Sequence, residues 1–214
     1  MSDPRPEPIF NAPWPALVAA ASILVPHVLL LGAGPEAVYA LALEPKAFWR
    51  GDWTGVVTML FVHGGWIHAL TNAAFALAFG APVARLLGLN GRGGGIFFLF
   101  YLACGVISGL GFAAIHPESL DPVVGASGAI SGLMGAAART MDTPGRVGPI
   151  LGPRVISLGL GWLIVNLLMA ITGGILTLGT GAIAWEAHLV GFVAGVLMIG
   201  VFARWAGGQA FDPH

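Results

Sequence analysis

The chain has 214 residues, 57% of them hydrophobic and 9% charged, with a formal net charge of -1 at pH 7. An average soluble domain carries roughly 25% charged residues, so this composition excludes an ordinary soluble globule. The near-neutral balance gives no basic surface for nucleic acid. Cys104, the single cysteine, permits no internal disulfide, and there is no Cys/His framework for structural zinc. The 33 glycines are scattered through apolar stretches, which suits a helical membrane protein whose helices approach closely.

A hydrocarbon core about 30 Å thick needs roughly 20 apolar residues per helix. On that scale the sequence predicts six spans, at 14–34, 55–84, 93–115, 122–138, 155–172 and 183–203. The first exceeds the roughly 7–15 apolar residues of a signal peptide and is read as a retained span. Between it and the second, residues 35–54 include Tyr39, Phe48, Trp49 and Trp53, which suit the headgroup level. The fourth span is short and rich in Gly and Ser, as expected of a helix enclosed by others. The uncharged run after residue 155 divides at Gly173-Gly174. The segment beyond that pair, to residue 182, reads as a hydrophobic loop that dips into the bilayer. This loop and the fifth span are candidate moving parts on their glycine content.

Six spans put both termini on one side, with Arg5, Arg85, Arg92, Arg139, Arg146, Arg154 and Arg204; the other side receives only Lys46 and Arg50. The positive-inside rule then makes the termini cytoplasmic. The predicted fold class is therefore all-α, a polytopic six-transmembrane-helix bundle. Its parts are a tail at 1–13, one membrane domain at 14–205 and a tail at 206–214.

Strongly polar side chains within spans are costly and are functional candidates by default. The second predicted span carries His63, His68 and Asn72, with His68 and Asn72 on one helical face. The fourth holds Gly125, Ser127 and Gly128, followed by Gly132 and Gly135 on the Gly128 face. The sixth begins with Glu186 and His188, with Gly191 and Gly195 on the His188 face. Two glycine-faced helices can pack backbone to backbone, which would bring Ser127 and His188 within hydrogen-bond reach. A serine hydroxyl becomes a useful nucleophile when a base takes its proton, and a helix start favours a developing oxyanion. No carboxylate is placed to hold the base, since Glu186 points to another face than His188, so a dyad is the expected arrangement. His27 and Asn166 stand alone in their spans and read as structural; His116 reads as a solvated loop residue. The aromatic run at Phe97, Phe98, Phe100 and Tyr101 reads as lipid-facing or core packing, not as a ligand site.

With these motifs the chain resembles the rhomboid family of intramembrane serine proteases. Trp49-Arg50 is similar to the family's Trp-Arg motif, and His63, His68 and Asn72 reproduce its His-x4-His-x3-Asn pattern. Gly125-Ala126-Ser127-Gly128 matches Gly-x-Ser-Gly, and His188, Gly191 and Gly195 match His-x2-Gly-x3-Gly. The resemblance implies Ser127 as nucleophile and His188 as general base. It implies an oxyanion hole of His68, Asn72 and the Ser127 backbone N–H, supported by His63. It further implies single-span membrane proteins as substrates, cut near the outer membrane boundary, and neither metal nor organic cofactor. Small bacterial members are of this six-span form, which implies an inner (plasma) membrane setting among lipid. One position departs from the pattern: Ser131 stands where many members carry a Tyr or Phe ring against the catalytic imidazole. Its hydroxyl is expected either to bond the imidazole or hold a water, or to leave His188 less constrained.

The competing readings are weaker. A transporter would also bury polar residues, but no internal repeat and no mid-span acid accompany these. A metalloprotease would need a spacing such as H-E-x-x-H, which is absent. A client-binding relative with weak or no activity would usually lack Ser127 or His188, and only Ser131 speaks for it. The sequence carries no signal for an oligomeric state.

Overall fold

The computed structural model describes residues 12–143, 145–172 and 184–207. Both predicted tails fall largely outside these residues, and so does the predicted loop at 173–182. The described residues form helices and connections, with one isolated antiparallel bridge, Leu43 to Val123. In chain order the helices are α1 (Trp14–Leu30), α2 (Pro35–Leu41), α3 (Pro45–Trp49), α4 (Gly55–Thr58), α5 (Trp66–Leu87), α6 (Gly91–Ile115), α7 (Ser127–Ala138), α8 (Pro153–Ile171) and α9 (Trp185–Ala206). Four of them, α5, α6, α8 and α9, are long and apolar enough to cross a membrane; α1 and α7 are shorter apolar helices. The chain is therefore a polytopic helical membrane protein.

The second predicted span is shorter than its apolar run. Residues 55–61 fold as α4 and a 3-10 turn, Met59–Phe61, and α5 begins only at Trp66. Gly64 and Gly65 supply the break, being poor helix formers, and Gly65 is extended as the N-cap of α5. His63 consequently sits in the loop before α5, not on it. The fourth predicted span is also trimmed: residues 122–126 are non-helical, ending in a bend at Gly125 and Ala126, and the helix starts at Ser127.

Helix α7 is the centre of the bundle. All eleven of its residues after Ser127 are buried, as expected of an enclosed helix. It meets α9 through glycine on both sides. A Cβ on Gly191 would strike the Gly128 carbonyl, one on Gly195 the Gly132 carbonyl, and one on Gly135 the Phe192 carbonyl. Against α6, a Cβ on Gly128 would strike Ser108 and one on Gly132 would strike Cys104. The inward stripe of α6 includes Phe97, Phe100 and Tyr101, so three rings of the aromatic run are core residues. Helix α5 presents Ala69, Asn72, Ala73, Ala76 and Gly80, spaced as one helical face.

Helix α8 is different, since only Val155 and Asn166 are buried along it. Leu158 and Trp162 pack partly buried against the small cluster of Met134, Ala138, Phe192 and Val196.

Polar side chains close the end opposite Ser127. Arg139 donates from Nε and Nη2 to the Gly148 carbonyl (2.8 and 2.6 Å) and from Nη1 to the Val196 carbonyl (2.7 Å). Arg92 donates to the Trp205 carbonyl at 2.7 Å, and the Trp14 indole to the Leu89 carbonyl at 2.7 Å.

Because α7 and α9 touch through backbone, Gly195→Val is expected to destabilise the protein by about 3 kcal/mol or more. Gly161 faces open space on α8, so Gly161→Ala is expected to be neutral or stabilising by up to about 1 kcal/mol. Equilibrium unfolding of both variants in detergent micelles checks the contrast.

Candidate active site

The chain approaches Ser127 through a tied-down loop. Leu43 and Val123 exchange backbone hydrogen bonds (3.0 and 2.8 Å), Lys46 N–H donates to the Ser119 carbonyl at 3.1 Å, and Gly125 N–H donates to the Met59 carbonyl at 2.9 Å. Gly125 then adopts φ +112, a left-handed conformation that only glycine takes without strain. A Cβ there would also lie 2.7 Å from His68 Nε2. The Ala126 N–H donates to His63 Nε2 at 3.3 Å, so His63 holds the residue just before Ser127. The His63 and His68 rings meet edge to face with centroids 5.1 Å apart.

Ser127 is the first residue of α7, and the first intrahelical bond runs from Ile130 N–H to the Ala126 carbonyl at 2.9 Å. The helix therefore leaves the N–H groups of Ser127, Gly128 and Ala129 without an intrahelical partner, at its positive end. Ser127 Oγ lies 2.7 Å from His188 Nε2, and His188 Nδ1 lies 2.7 Å from Asn166 Oδ1. The glycine contacts of Gly128 with Gly191 and Gly132 with Gly195 make this approach possible. From α6, the Ser108 hydroxyl donates to the Ala187 carbonyl at 2.8 Å, which fixes the residue before His188.

Asn72 is buried one turn after His68 and donates from Nδ2 to the His68 carbonyl at 2.9 Å. An amide has a second N–H, so one donor remains. Ser131 does not reach the imidazole: fully buried, it donates to the Ser127 carbonyl at 2.8 Å, a bond within its own helix. The ring near His188 comes instead from α8, where Trp162 lies with its centroid 5.7 Å away and its plane tilted by 33°. Trp49 and Arg50 belong to the connection between α1 and α5: the Trp49 indole donates to the Ala113 carbonyl at 2.9 Å, and Arg50 is the exposed C-cap of α3. Among the described residues neither is hydrogen-bonded to Ser127 or His188.

Two residues set aside in the sequence have partners here. Asn166 meets His188, as above. His116 is not simply solvated: its Nε2 lies 3.0 Å from Glu186 Oε1, tying the loop after α6 to the first turn of α9. His27, read as structural, packs edge-on against Trp66 with centroids 4.8 Å apart. The available signal for Asn166 was its being the one side-chain amide in the fifth span; Trp162 lies four residues earlier, on the same helical face.

A polytopic helical membrane protein with a serine–histidine contact at the start of a buried, glycine-packed helix is the class that fold and site define. The chain belongs to the rhomboid family: residues 50–205 match the Rhomboid domain. It is also 37% identical over 125 residues to "Putative rhomboid protease YdcA" of Bacillus subtilis (strain 168), covering 52% of this chain and 59% of that relative.

Since the Ser131 hydroxyl is satisfied by its own helix, Ser131→Ala is expected to shift unfolding by less than about 1 kcal/mol. Phosphonate labelling of Ser127 is expected to change by less than about twofold. Thermal unfolding and labelling kinetics measured on one preparation check both.

Proposed function

We propose that this protein is an intramembrane serine endopeptidase that cleaves single-span membrane proteins near the outer membrane boundary. The observation that carries this reading is the 2.7 Å contact between Ser127 Oγ and His188 Nε2 at the start of a buried helix. Family membership supports it.

In the proposed mechanism His188 Nε2 takes the Ser127 hydroxyl proton as Oγ attacks the scissile carbonyl. The resulting oxyanion is held by the Ser127 N–H, with His68 and the remaining Asn72 N–H as further donors. Collapse breaks the C–N bond, and His188 returns the proton to the leaving amine. Water, deprotonated by the same imidazole, then hydrolyses the acyl-enzyme. Gly125 and His63 shape the approach to Ser127, and Gly128, Gly191 and Gly195 let the two helices meet.

We assign six spans to α1 and α5 to α9, both termini to the cytoplasm and the protein to a bacterial inner membrane. The basic residues at the Arg139 end of α7 support that orientation. A twelve-residue helix rises only about 18 Å, against a hydrocarbon core of about 30 Å. With Arg139 at the cytoplasmic boundary, Ser127 would lie roughly 10 Å below the outer one. A transmembrane substrate would therefore unwind locally to present a peptide bond there.

The test is reconstitution with a single-span substrate carrying small residues near its outer boundary. Ser127→Ala and His188→Ala are each expected to lower cleavage by about a thousandfold or more, and Asn72→Ala by about a hundredfold. Wild-type cleavage in either dyad variant overturns the mechanism.

A further inference from the structure

We infer that Asn166 is a positioning residue that sets the tautomer of His188, extending the Ser127–His188 dyad into a neutral hydrogen-bonded chain; this rests on the proposed protease reading. The orientation of the Asn166 amide is decided by its own helix. Nδ2 lies 2.8 Å from the Trp162 carbonyl, which can only accept, so the NH2 group must face that carbonyl. Oδ1 is thereby turned to His188 Nδ1, 2.7 Å away. An amide oxygen only accepts, so Nδ1 must carry the imidazole proton. The lone pair is then left on Nε2, facing the Ser127 hydroxyl at 2.7 Å. That is the tautomer a general base requires, reached without a formal charge.

The placement of Asn166 supports a dedicated role. It is fully buried on α8, where Val155 is the one other buried residue. A buried amide with both ends of its side chain hydrogen-bonded is stable in apolar surroundings, whereas a carboxylate there would be costly. From α7 the imidazole is met at Nε2 by Ser127, while Ser131 is bonded to the Ser127 carbonyl and does not reach it. The further restraint comes from α8: Asn166 holds Nδ1, and Trp162, whose carbonyl orients Asn166, sets its ring beside the imidazole.

Asn166→Leu removes the acceptor with little change of volume; Asn166→Asp keeps an acceptor and adds a charge. The full chain in micelles is labelled at Ser127 with a fluorophosphonate across pH, and the histidine tautomers are read by 15N NMR, with His188→Gln assigning the signal. Asn166→Leu is expected to lower the labelling rate by about tenfold or more and to shift His188 away from the Nδ1–H form. In Asn166→Asp a carboxylate beside Nδ1–H stabilises the imidazolium, so the acid limb of the rate profile is expected to move to higher pH. This second variant carries the test if the first does not fold. A wild-type rate and tautomer in Asn166→Leu, or an unmoved acid limb in Asn166→Asp, overturns the inference. So does an Nε2–H tautomer in the wild-type protein. If the wild type shows an Asn166-dependent Nδ1–H tautomer but no labelling at Ser127, the positioning stands and the protease reading falls.

Discussion

Backbone contact between α7 and α9 is the constraint on which the rest of the structure depends. Carbonyls of Gly128 and Gly132 lie where Cβ atoms of Gly191 and Gly195 would otherwise stand. In lipid there is little hydrophobic drive to bring helices together, so close van der Waals fit has to supply the adhesion. The same fit sets the distance between Ser127, at the start of one helix, and His188, in the first turn of the other. A single added methyl at these positions would separate the helices and the pair together. Stability and site geometry are therefore one quantity here.

Around that contact the polar groups are arranged so that few depend on solvent. The Gly125 N–H is taken by Met59, the Ala126 N–H by His63, the Ser131 hydroxyl by the Ser127 carbonyl, and the Ser108 hydroxyl by Ala187. The groups left uncommitted by the helix are the N–H donors in the first turn of α7. On the proposed reading these are the groups that meet a developing oxyanion, and they require no reorganisation to do so.

Much of this was legible in the sequence because the membrane simplifies the reading. Apolar length alone located α5, α6, α8 and α9 to within a few residues at most ends, and glycine periodicity identified the faces that join α7 to α9. The composition of α7 indicated an enclosed helix, and the structure buries it. Hydropathy could not see the break at Gly64-Gly65, because residues 55–61 are as apolar as a span yet fold as a short helix and a turn. It could not see Asn166 either. One amide in an apolar helix carries no information about the partner it meets, and His188 lies 22 positions away in sequence. The hydrogen-bond contact of His116 with Glu186 was hidden for the same reason: the two are 70 residues apart. Spacing reports which residues share a helix face, while contacts between helices depend on rotations that spacing leaves open.

The departure at Ser131 shows how such rotations can redistribute a task. If the imidazole had to be steadied from α7, a serine bonded to its own helix would leave it loose. Trp162 and Asn166 instead approach from α8, four residues apart and so on one face, with the indole centroid 5.7 Å from the ring and the amide bonded at Nδ1. Helix α8 is otherwise the least buried of the long helices; besides the Asn166–His188 bond, Arg154 in its first turn pairs with Asp142 at 3.0 Å. A helix held by a small apolar cluster, one amide and one exposed ion pair can shift with little loss of packing. On the proposed reading, that shift would release the tautomer-setting bond, so the reactivity of Ser127 would depend on whether α8 is docked.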